Sequence, residues 1–304
     1  MSHLLNGLPV RGAGCDSGKL ENNGDKTDGR GQAQHPGEEP GFVAVHLVRK
    51  KGHHFGVLFF MQKSLLILTG HTQGIGKAIL DHYLKNEDIQ ILAISRSKLD
   101  IESENLTQIS LDLGDLMILE SQLAGLFPHD RFEKIILINN AGWIGEVKPI
   151  GELGPAELRK QINVNLLAPM YLTNAFIKAY KTTSAQKIIC NISSGAASKP
   201  VSGWGGYCST KAALAMFTLV AAKENKSQEF KFYSLAPGVV DTKMQEELRS
   251  VTEADFPDLE KFKKYQEEGL LASTELVARK TAYVLENPNL FTEVIQDVRN
   301  VQLA

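Results

Sequence analysis

From residue 61 onward, short apolar runs typical of strands alternate with longer stretches of helical periodicity. This alternation is typical of βαβ units, whose parallel strands form a sheet covered by helices on both faces. It predicts strands at residues 64–69, 90–95, 106–110, 134–138, 187–193, 231–235 and 293–296. It predicts helices at residues 74–85, 116–126, 155–180, 205–223 and 273–285. The expected fold is α/β, a doubly wound, Rossmann-like parallel sheet whose ligands bind beyond the carboxyl ends of the strands.

Composition limits the classes of protein that could contain this sheet. With 304 residues, 43% of them hydrophobic and 22% charged, the chain can bury one α/β core of roughly 250 residues. The formal net charge of -2 gives no electrostatic reason to expect nucleic acid or an anionic membrane as a partner. The 3 cysteines form no CxxC pair, and no His, Cys and Asp cluster has zinc spacing. A cytoplasmic protein without a metal is therefore expected.

The first 60 residues differ from the rest of the chain. Residues 1–41 are rich in Gly, Asn, Asp and Ser and have almost no apolar periodicity, so they are predicted to be disordered. Between residues 41 and 60 the apolar runs are too short and too interrupted to span a bilayer, and Met1 does not begin a signal peptide. We predict that residues 1–60 are an extension and that residues 61–304 form the folded domain. A targeting or docking arm is the alternative for the extension.

Three polar side chains predict a catalytic site. Tyr207 and Lys211 lie four residues apart on one face of a predicted helix, so the ammonium can lie beside the phenol and favour its ionised form. Ser194 follows the fifth predicted strand, where its hydroxyl can hydrogen-bond the same substrate oxygen that Tyr207 would protonate. The arrangement predicts reduction of a carbonyl group, provided that a hydride donor binds nearby.

The first crossover, residues 69–76, reads Thr-Gly-His-Thr-Gln-Gly-Ile-Gly and could hold that donor. Its glycines permit a tight turn and let the backbone approach a pyrophosphate at the positive end of the following helix. The spacing differs from GxGxxG, so a plain strand-to-helix turn is the alternative. The second strand is followed by Arg96, with no acidic residue where a ribose 2′-hydroxyl would bind. An arginine suits a 2′-phosphate, which predicts NADP(H) rather than NAD; an exposed loop arginine is the alternative.

Five motifs in a fixed order carry a family resemblance. They are Thr-Gly-x3-Gly-Ile-Gly at residues 69–76, Asn-Asn-Ala-Gly at 139–142, Ser194 thirteen residues before Tyr207, Tyr-x3-Lys, and Pro237-Gly238 followed by Thr242. From about Met61 to the C-terminus the chain resembles the short-chain dehydrogenase/reductase family. The resemblance implies that Ser194 orients the substrate carbonyl and Tyr207 donates the proton. It implies that Lys211 lowers the Tyr207 pKa and holds the nicotinamide ribose, while Asn165 relays protons through water.

The same resemblance implies a set of cofactor contacts. They are Gly70, Gln73, Gly74, Ile75, Gly76, Arg96, Asp112, Asn140, Ala141, Gly142, Tyr207, Lys211, Pro237, Gly238 and Thr242. Asp112 matches the residue that recognises the adenine, whereas Gln73 departs from the basic residue that many NADP-dependent members have. Asn163 is a nearby rival of Asn165, and Asn139 is expected to tie strands together. The family commonly forms dimers or tetramers, so a homodimer or homotetramer is implied.

Two further motifs point to one branch of the family. Gly203-Trp204-x2-Tyr207-Cys208 and the stretch from Ala236 to Gln245 are similar to sepiapterin reductases and bacterial benzil reductases. Those enzymes reduce a carbonyl of a planar dicarbonyl compound with NADPH. The implied substrate contacts are Trp204, Met244 and Asp297, although Asp297 read alone is equally an ordinary strand-end carboxylate. A 3-oxoacyl or sugar reductase, or a non-catalytic nucleotide-binding protein on the same fold, are the alternatives.

Residues 237–273, which we call the lid segment, follow the sixth predicted strand. Apolar residues recur there at helical spacing among charged ones: Met244, Leu248, Val251, Phe256, Leu259, Phe262 and Tyr265. A long segment at the carboxyl edge of the sheet could close over a substrate and exclude water. With Trp143 and Trp204 it would form an aromatic pocket. The alternative is that the stripe belongs to the core.

Overall fold

The computed structural model describes residues 64–226 and 229–303. The predictions for residues 1–60 lie outside these residues. The strands are β1 (Ser64–Thr69), β2 (Ile89–Ser95), β3 (Leu106–Ser110), β4 (Lys134–Asn139), β5 (Gln186–Ile192), β6 (Phe230–Ala236) and β7 (Ile295–Asp297). The α-helices are α1 (Gly74–Tyr83), α2 (Leu116–Gln122), α3 (Pro155–Ile162), α4 (Ala168–Tyr180), α5 (Gly205–Glu224), α6 (Lys243–Arg249), α7 (Leu259–Glu267) and α8 (Thr274–Glu286). Every predicted strand is present, with bounds that differ by two residues or fewer.

The strands form one parallel 7-stranded sheet in the order β3-β2-β1-β4-β5-β6-β7. The chain therefore builds outward from β1 in one direction and from β4 in the other. The strand order reverses between β1 and β4, and a doubly wound sheet binds its ligands beyond such a reversal. The predicted fold class is confirmed, and the reversal places the turn after β1 beside the loop after β4.

Two apolar layers explain why these segments become buried strands. Along β1, Leu66 and Leu68 pack on one face of the sheet in a cluster with α1 and α8. Leu65 and Ile67 pack on the opposite face in a cluster that includes residues of α2 and α4. Side chains alternate between the faces of a strand, so a strand covered on both sides must be apolar at every position. Each fully buried Leu or Ile contributes about 1.5–3 kcal/mol to stability.

The predicted helix at residues 155–180 is continuous but not regular. Between α3 and α4 the residues Asn163–Leu167 form one π-helical turn. A π turn inserts one extra residue into the helix and often occurs at functional sites. The predicted helix over residues 155–180 is therefore confirmed, whereas its π turn was not predicted, because apolar periodicity does not record a local change in hydrogen-bonding pattern.

A chain of buried polar groups links the middle of the sheet to the helices on one face. The Asn139 amide donates to Asn191 Oδ1 at 2.8 Å and to Thr173 Oγ1 at 3.2 Å. Asn191 in turn donates to Thr218 Oγ1 at 2.8 Å. These bonds join β4 to β5 and both strands to α4 and α5, which confirms the prediction that Asn139 ties strands together. These buried hydrogen bonds favour a single arrangement of the four elements, although Asn139 Oδ1 has no partner among the described residues.

The lid segment contains α6 and α7 and returns to the sheet edge before α8. Its two ends pair with each other through a parallel bridge between Val240 and Ala272. Among the residues that the structure describes, no helix is long and apolar enough to cross a membrane.

Candidate active site

The turn between β1 and α1 forms a cradle of bare backbone. Gly70 and Gly74 have φ values of 72° and 56°, a conformation that side chains other than glycine rarely adopt. A Cβ on Gly70 would lie 2.8 Å from the Ala141 Cα, and a Cβ on Gly76 would meet the Gly70 carbonyl oxygen. No side chain caps the start of α1 at Gln73, and no acidic residue stands in its first turn. Free N–H groups at the positive end of a helix fit the pyrophosphate of a dinucleotide.

Asn140 holds this cradle against the loop after β4. Its side-chain amide donates to the carbonyl oxygens of Thr69 and Gly70, both at 3.0 Å. The backbone N–H groups of Asn140 and Ala141 both donate to Thr69 Oγ1 at 3.0 Å. Both N–H bonds of the amide are used within the protein. Asn140 therefore shapes the cofactor path, and its amide has no donor left for a ligand.

Arg96 and Asp112 lie at the other end of the cradle. Arg96 is exposed, and its guanidinium makes no hydrogen bond or ion pair within the part of the chain that the structure describes. Asp112 is also exposed, and its carboxylate accepts the Gly114 N–H at 2.8 Å. Asp112 lines an open cavity of about 470 Å³ together with Lys160 and Asn163. The rival residue Asn163 donates to the Gly114 carbonyl at 3.0 Å, so it supports this loop.

Tyr207 lies in the first turn of α5 and is 7% exposed. Burial raises the pKa of its phenol to about 12, and a hydrogen bond with the Ser194 side chain opposes this rise. Ser194 stands directly before a short 3-10 turn, Gly195–Ala197, where its hydroxyl also accepts the Ala196 N–H at 3.1 Å. The structure thus brings Ser194 and Tyr207 together as the sequence predicts. The phenol keeps its proton at neutral pH.

Lys211 behaves differently from the prediction. Its ammonium lies 5.7 Å from the centroid of the Tyr207 ring and donates to the Ile192 carbonyl at 2.8 Å. Burial lowers its pKa to about 8, because the charged form loses its hydration. The predicted lowering of the Tyr207 pKa is not seen in the protein alone, since burial acts on both groups and favours the neutral form of each.

Asn165 occupies the π turn and is 1% exposed. Its side chain accepts the Trp143 N–H at 2.8 Å and donates to the Trp143 carbonyl at 2.7 Å. It also donates to Thr210 Oγ1, on α5, at 3.4 Å. An added Cβ on Gly142 would lie 3.6 Å from both Asn165 Oδ1 and Lys211 Nζ. The loop after β4, the π turn and the helix of Tyr207 therefore meet at Asn165.

Gln161 is a site residue that the sequence analysis missed. It lies one helical turn before Asn165, is 4% exposed, and donates to the Ile144 carbonyl. Its amide also fills the space beside two glycines. A Cβ on Gly145 would lie 2.5 Å from Gln161 Nε2, and a Cβ on Gly206 would meet Gln161 Oε1. Gln161 thus fits between the loop after β4 and the first turn of α5, directly before Tyr207.

The lid segment packs on this catalytic helix. A third apolar cluster contains Ile144, Val147, Ala196, Trp204, Tyr207, Leu248, Phe256, Leu259 and Phe262. Trp204 is 8% exposed, stacks on Phe256 at 5.6 Å and meets the Tyr207 ring edge-on at 5.7 Å. Most residues of the predicted apolar stripe are therefore buried between the lid segment and Trp204. Met244 lies partly buried against the same cluster. Contact of Trp204 or Met244 with a substrate stays a prediction.

The C-terminal end of the sheet holds the remaining predicted residues. The Asp297 carboxylate pairs with the Arg299 guanidinium, at 2.5 Å between Oδ2 and Nη2, and this hydrogen bond lowers the Asp297 pKa. A substrate group would have to compete with Arg299 for this carboxylate. Pro237 and Gly238 line a cavity of about 230 Å³ whose other lining residues include Arg299. A Cβ on Gly74 would lie 3.4 Å from Thr242 Cγ2, so Thr242 borders the cradle, and its contact with the cofactor stays a prediction.

Across residues 64–226 and 229–303, no group of three or more His, Cys, Asp or Glu side chains is arranged to hold a metal ion.

The fit of Gln161 against Gly206 can be tested by stability measurements. We expect Gly206→Ala to lower the free energy of unfolding by about 1–3 kcal/mol, because the new methyl group overpacks against Gln161 and Leu158. In a Gln161→Ala background the same change should cost less, with a coupling of about 0.5–3 kcal/mol. Urea unfolding of the four proteins measures this. Gly195→Ala is the matched control, since its Cβ would meet nothing within 4 Å. Additive effects would show that the two residues do not pack as described.

Comparisons with known proteins agree with this geometry. The family model described as short chain dehydrogenase matches residues 64–253. The chain is 39% identical over 227 residues to a benzil reductase ((S)-benzoin forming) of Bacillus subtilis, covering 73% of this chain and 93% of that protein. It is 29% identical over 245 residues to the sepiapterin reductase of Bos taurus, covering 74% and 90%. The crystal structure of the KRED1-Pglu enzyme superposes with a TM-score of 0.63 at 30% identity, covering 73% and 95%. The chain is an oxidoreductase of the short-chain dehydrogenase family.

Proposed function

We propose that the protein reduces a carbonyl group, in a planar or aromatic dicarbonyl compound, to an alcohol with NADPH. The observation that carries this proposal is the convergence of Asn165, Ser194, Tyr207 and Lys211 beside an uncapped helix start. One crevice then holds the proton donor, its hydroxyl partner, a buried ammonium and a dinucleotide cradle. A non-catalytic nucleotide-binding protein would not require the first three.

The residues divide the chemistry between them. Bound NADPH supplies the hydride that forms the new C–H bond at the carbonyl carbon. Tyr207 holds its proton at neutral pH, because burial raises its pKa to about 12, and it donates that proton to the carbonyl oxygen. The Ser194 hydroxyl bonds the same oxygen and favours the charge that develops there. The product is the alcohol, and Tyr207 is left as a phenolate.

Lys211 and Asn165 support the return of a proton to Tyr207. The Lys211 ammonium, with its pKa lowered to about 8, is close enough to Tyr207 to favour the phenolate while it is charged. Asn165 bridges Trp143 and Thr210 at the inner end of the crevice, where it would hold a water-mediated path to the solvent. Lys211 would also hold the nicotinamide ribose.

Arg96 supports NADPH as the cofactor. The exposed Arg96 guanidinium beside the end of β2 can pair with two oxygens of a 2′-phosphate, whereas a 2′-hydroxyl gives it no charge to bind. Cofactor choice in this fold depends on the residues at this position. Arg96 supports NADPH in spite of Gln73, which adds no positive charge.

The relatives and the aromatic surroundings support a dicarbonyl substrate. The Bacillus subtilis relative is a benzil reductase and the Bos taurus relative a sepiapterin reductase. In this chain Trp204, Phe256 and Phe262 place an aromatic wall behind Tyr207, and the lid segment carries two of these rings. Opening of the lid segment would expose that wall to a flat substrate. A 3-oxoacyl thioester or a sugar is the second candidate, and the same crevice would also admit its carbonyl.

We also propose a homodimer or homotetramer in the cytoplasm. Met216, Leu219 and Val220 are 61%, 38% and 44% exposed and lie on one face of α5, the helix that carries Tyr207. An exposed apolar stripe of this kind favours association with a second copy. A monomeric mass by light scattering at micromolar concentration would contradict an oligomer.

Cofactor preference tests the NADPH assignment. We expect wild-type protein to oxidise NADPH with benzil or sepiapterin at a kcat/KM about 10- to 100-fold above that with NADH, because Arg96 pairs with the 2′-phosphate. Arg96→Gln should remove most of the preference by raising KM for NADPH, whereas Lys98→Gln, an exposed control on the same loop, should leave it unchanged. A preference for NADH would refute the NADPH assignment. Turnover of acetoacetyl thioester but neither dicarbonyl would favour the second candidate.

The pKa of Lys211 predicts how the rate of carbonyl reduction depends on pH. Its charge is present below pH 8 and is lost as pH rises through about 8, so we expect kcat for carbonyl reduction to fall above that pH. Lys211→Met should lower kcat by about 100-fold or more and abolish this fall. Lys187→Met is the matched control, because Lys187 is also buried with a lowered pKa but donates to Thr183 away from the crevice. An unchanged pH profile in Lys211→Met would contradict the role of Lys211.

A further inference from the structure

His71 is a fully buried residue in the turn between β1 and α1, directly after Gly70. Its backbone N–H donates to Ser95 Oγ at 3.0 Å, at the end of β2. Its imidazole Nε2 lies 2.9 Å from Oε1 of Gln108, which stands on β3. The side chain therefore reaches from the turn to the middle of β3, while the backbone is bonded to Ser95, the residue before Arg96. None of the catalytic roles uses it.

The Gln108 amide clamps the loop between β2 and β3. Its Oε1 accepts the Leu99 N–H at 2.8 Å, and its Nε2 donates to the Leu99 carbonyl at 3.0 Å. A second, longer bond from Nε2 reaches the Ile101 carbonyl at 3.5 Å. This two-sided pairing with one backbone residue fixes which end of the amide is oxygen. A strand side chain thus binds the middle of this loop, where the Leu99 side chain also packs against the core.

The clamp also fixes the tautomer of His71. Gln108 Oε1 can only accept hydrogen bonds, so the Nε2 atom of His71 must carry a proton and donate it. Nδ1 is buried and has no hydrogen-bond partner among the residues that the structure describes. Burying Nδ1 without a partner costs folding free energy. The hydrogen bond from Nε2 to Gln108 is therefore the structural contribution that distinguishes His71 from an apolar side chain of similar size. Through it the dinucleotide turn is bonded to the clamp on the loop.

Arg96 is the first residue of the clamped loop. Its carbonyl oxygen accepts the Ser110 hydroxyl at 2.8 Å, and Ser95 before it is held by His71. The backbone is therefore tied at 95, 96 and 99, while the guanidinium stays exposed and unpaired within the described residues. Fixing the backbone before the ligand arrives reduces the ordering cost of binding a phosphate. A loop free to shift would carry Arg96 away from the ribose.

We propose that His71 is a positioning residue for the adenosine 2′-phosphate of NADPH, acting through Gln108 and the loop that carries Arg96. This rests on the proposed use of NADPH. His71 does not touch the phosphate in this arrangement; it fixes the distance between the cradle, which binds the pyrophosphate, and Arg96, which binds the 2′-phosphate. Selectivity for NADPH over NADH then depends on His71 and Gln108 as well as on Arg96, which is the residue that contacts the phosphate.

Two fragments of the cofactor isolate this subsite from catalysis. Adenosine 2′,5′-bisphosphate and 5′-AMP differ only in the 2′-phosphate, and isothermal titration calorimetry gives the ratio of their dissociation constants without turnover. We expect His71→Leu to lower the preference for the bisphosphate by about tenfold, whereas His71→Gln, whose amide nitrogen can replace Nε2 as donor, should stay within about twofold of wild type. Ile79→Val, a buried change in α1 outside the network, should weaken stability without changing the ratio.

The outcomes separate the two proposals. If wild-type protein does not prefer the bisphosphate, the assignment of NADPH fails. If wild type prefers it and His71→Leu keeps the same ratio, the role of His71 is overturned while NADPH stands. Should His71→Leu not fold, Gln108→Met breaks the clamp from the other side and is expected to lower the ratio equally. A ratio in Gln108→Met that equals wild type also overturns the role.

Discussion

The site depends on the hydrogen bonds that join the turn after β1 to the loop after β4. Thr69 Oγ1 accepts two backbone N–H groups of that loop, and the Asn140 amide returns two bonds to the turn. The strand order reverses between β1 and β4, and the pairing of these strands alone does not fix the distance between the two loops. These bonds do so. They hold the cradle on one side at a set distance from the buried Asn165, Tyr207 and Lys211 on the other.

Burial sets the proton chemistry of the crevice. Low polarity raises the pKa of Tyr207 and lowers that of Lys211, so each group alone favours its neutral form. Tyr207 therefore holds its proton before the reaction, and the Lys211 ammonium, which could stabilise the phenolate, loses its own proton as pH rises through about 8. The lid segment contributes to this state, since its Phe256 and Phe262 rings pack on Trp204, which in turn meets the Tyr207 ring. Exclusion of water by the lid segment would strengthen each of these interactions.

The sequence predicted the features whose signal is local. Alternating apolar runs located every strand, and Tyr207, Lys211 and Ser194 were found from spacing along the chain. Gln161 and His71 were missed because their partners are 17 and 37 residues away, and the residues next to each one in the sequence carry no sign of that partner. The ammonium of Lys211 was placed beside the phenol by helix geometry alone, which omits the competing Ile192 carbonyl and the cost of burial. Substrate contacts depend on the conformation of the lid segment, which periodicity does not give.

Transfer of deuterium to benzil or sepiapterin, from NADPH that carries deuterium at both C4 positions, tests the central claim most directly. We expect wild-type protein to form an alcohol with one deuterium on the former carbonyl carbon, detected by mass spectrometry. Tyr207→Phe, which keeps the ring packing against Trp204 but removes the proton donor, should form the same product about 100- to 10,000-fold more slowly. An unlabelled alcohol, or a Tyr207→Phe variant as fast as wild type, would contradict reduction by hydride transfer with Tyr207 as the acid.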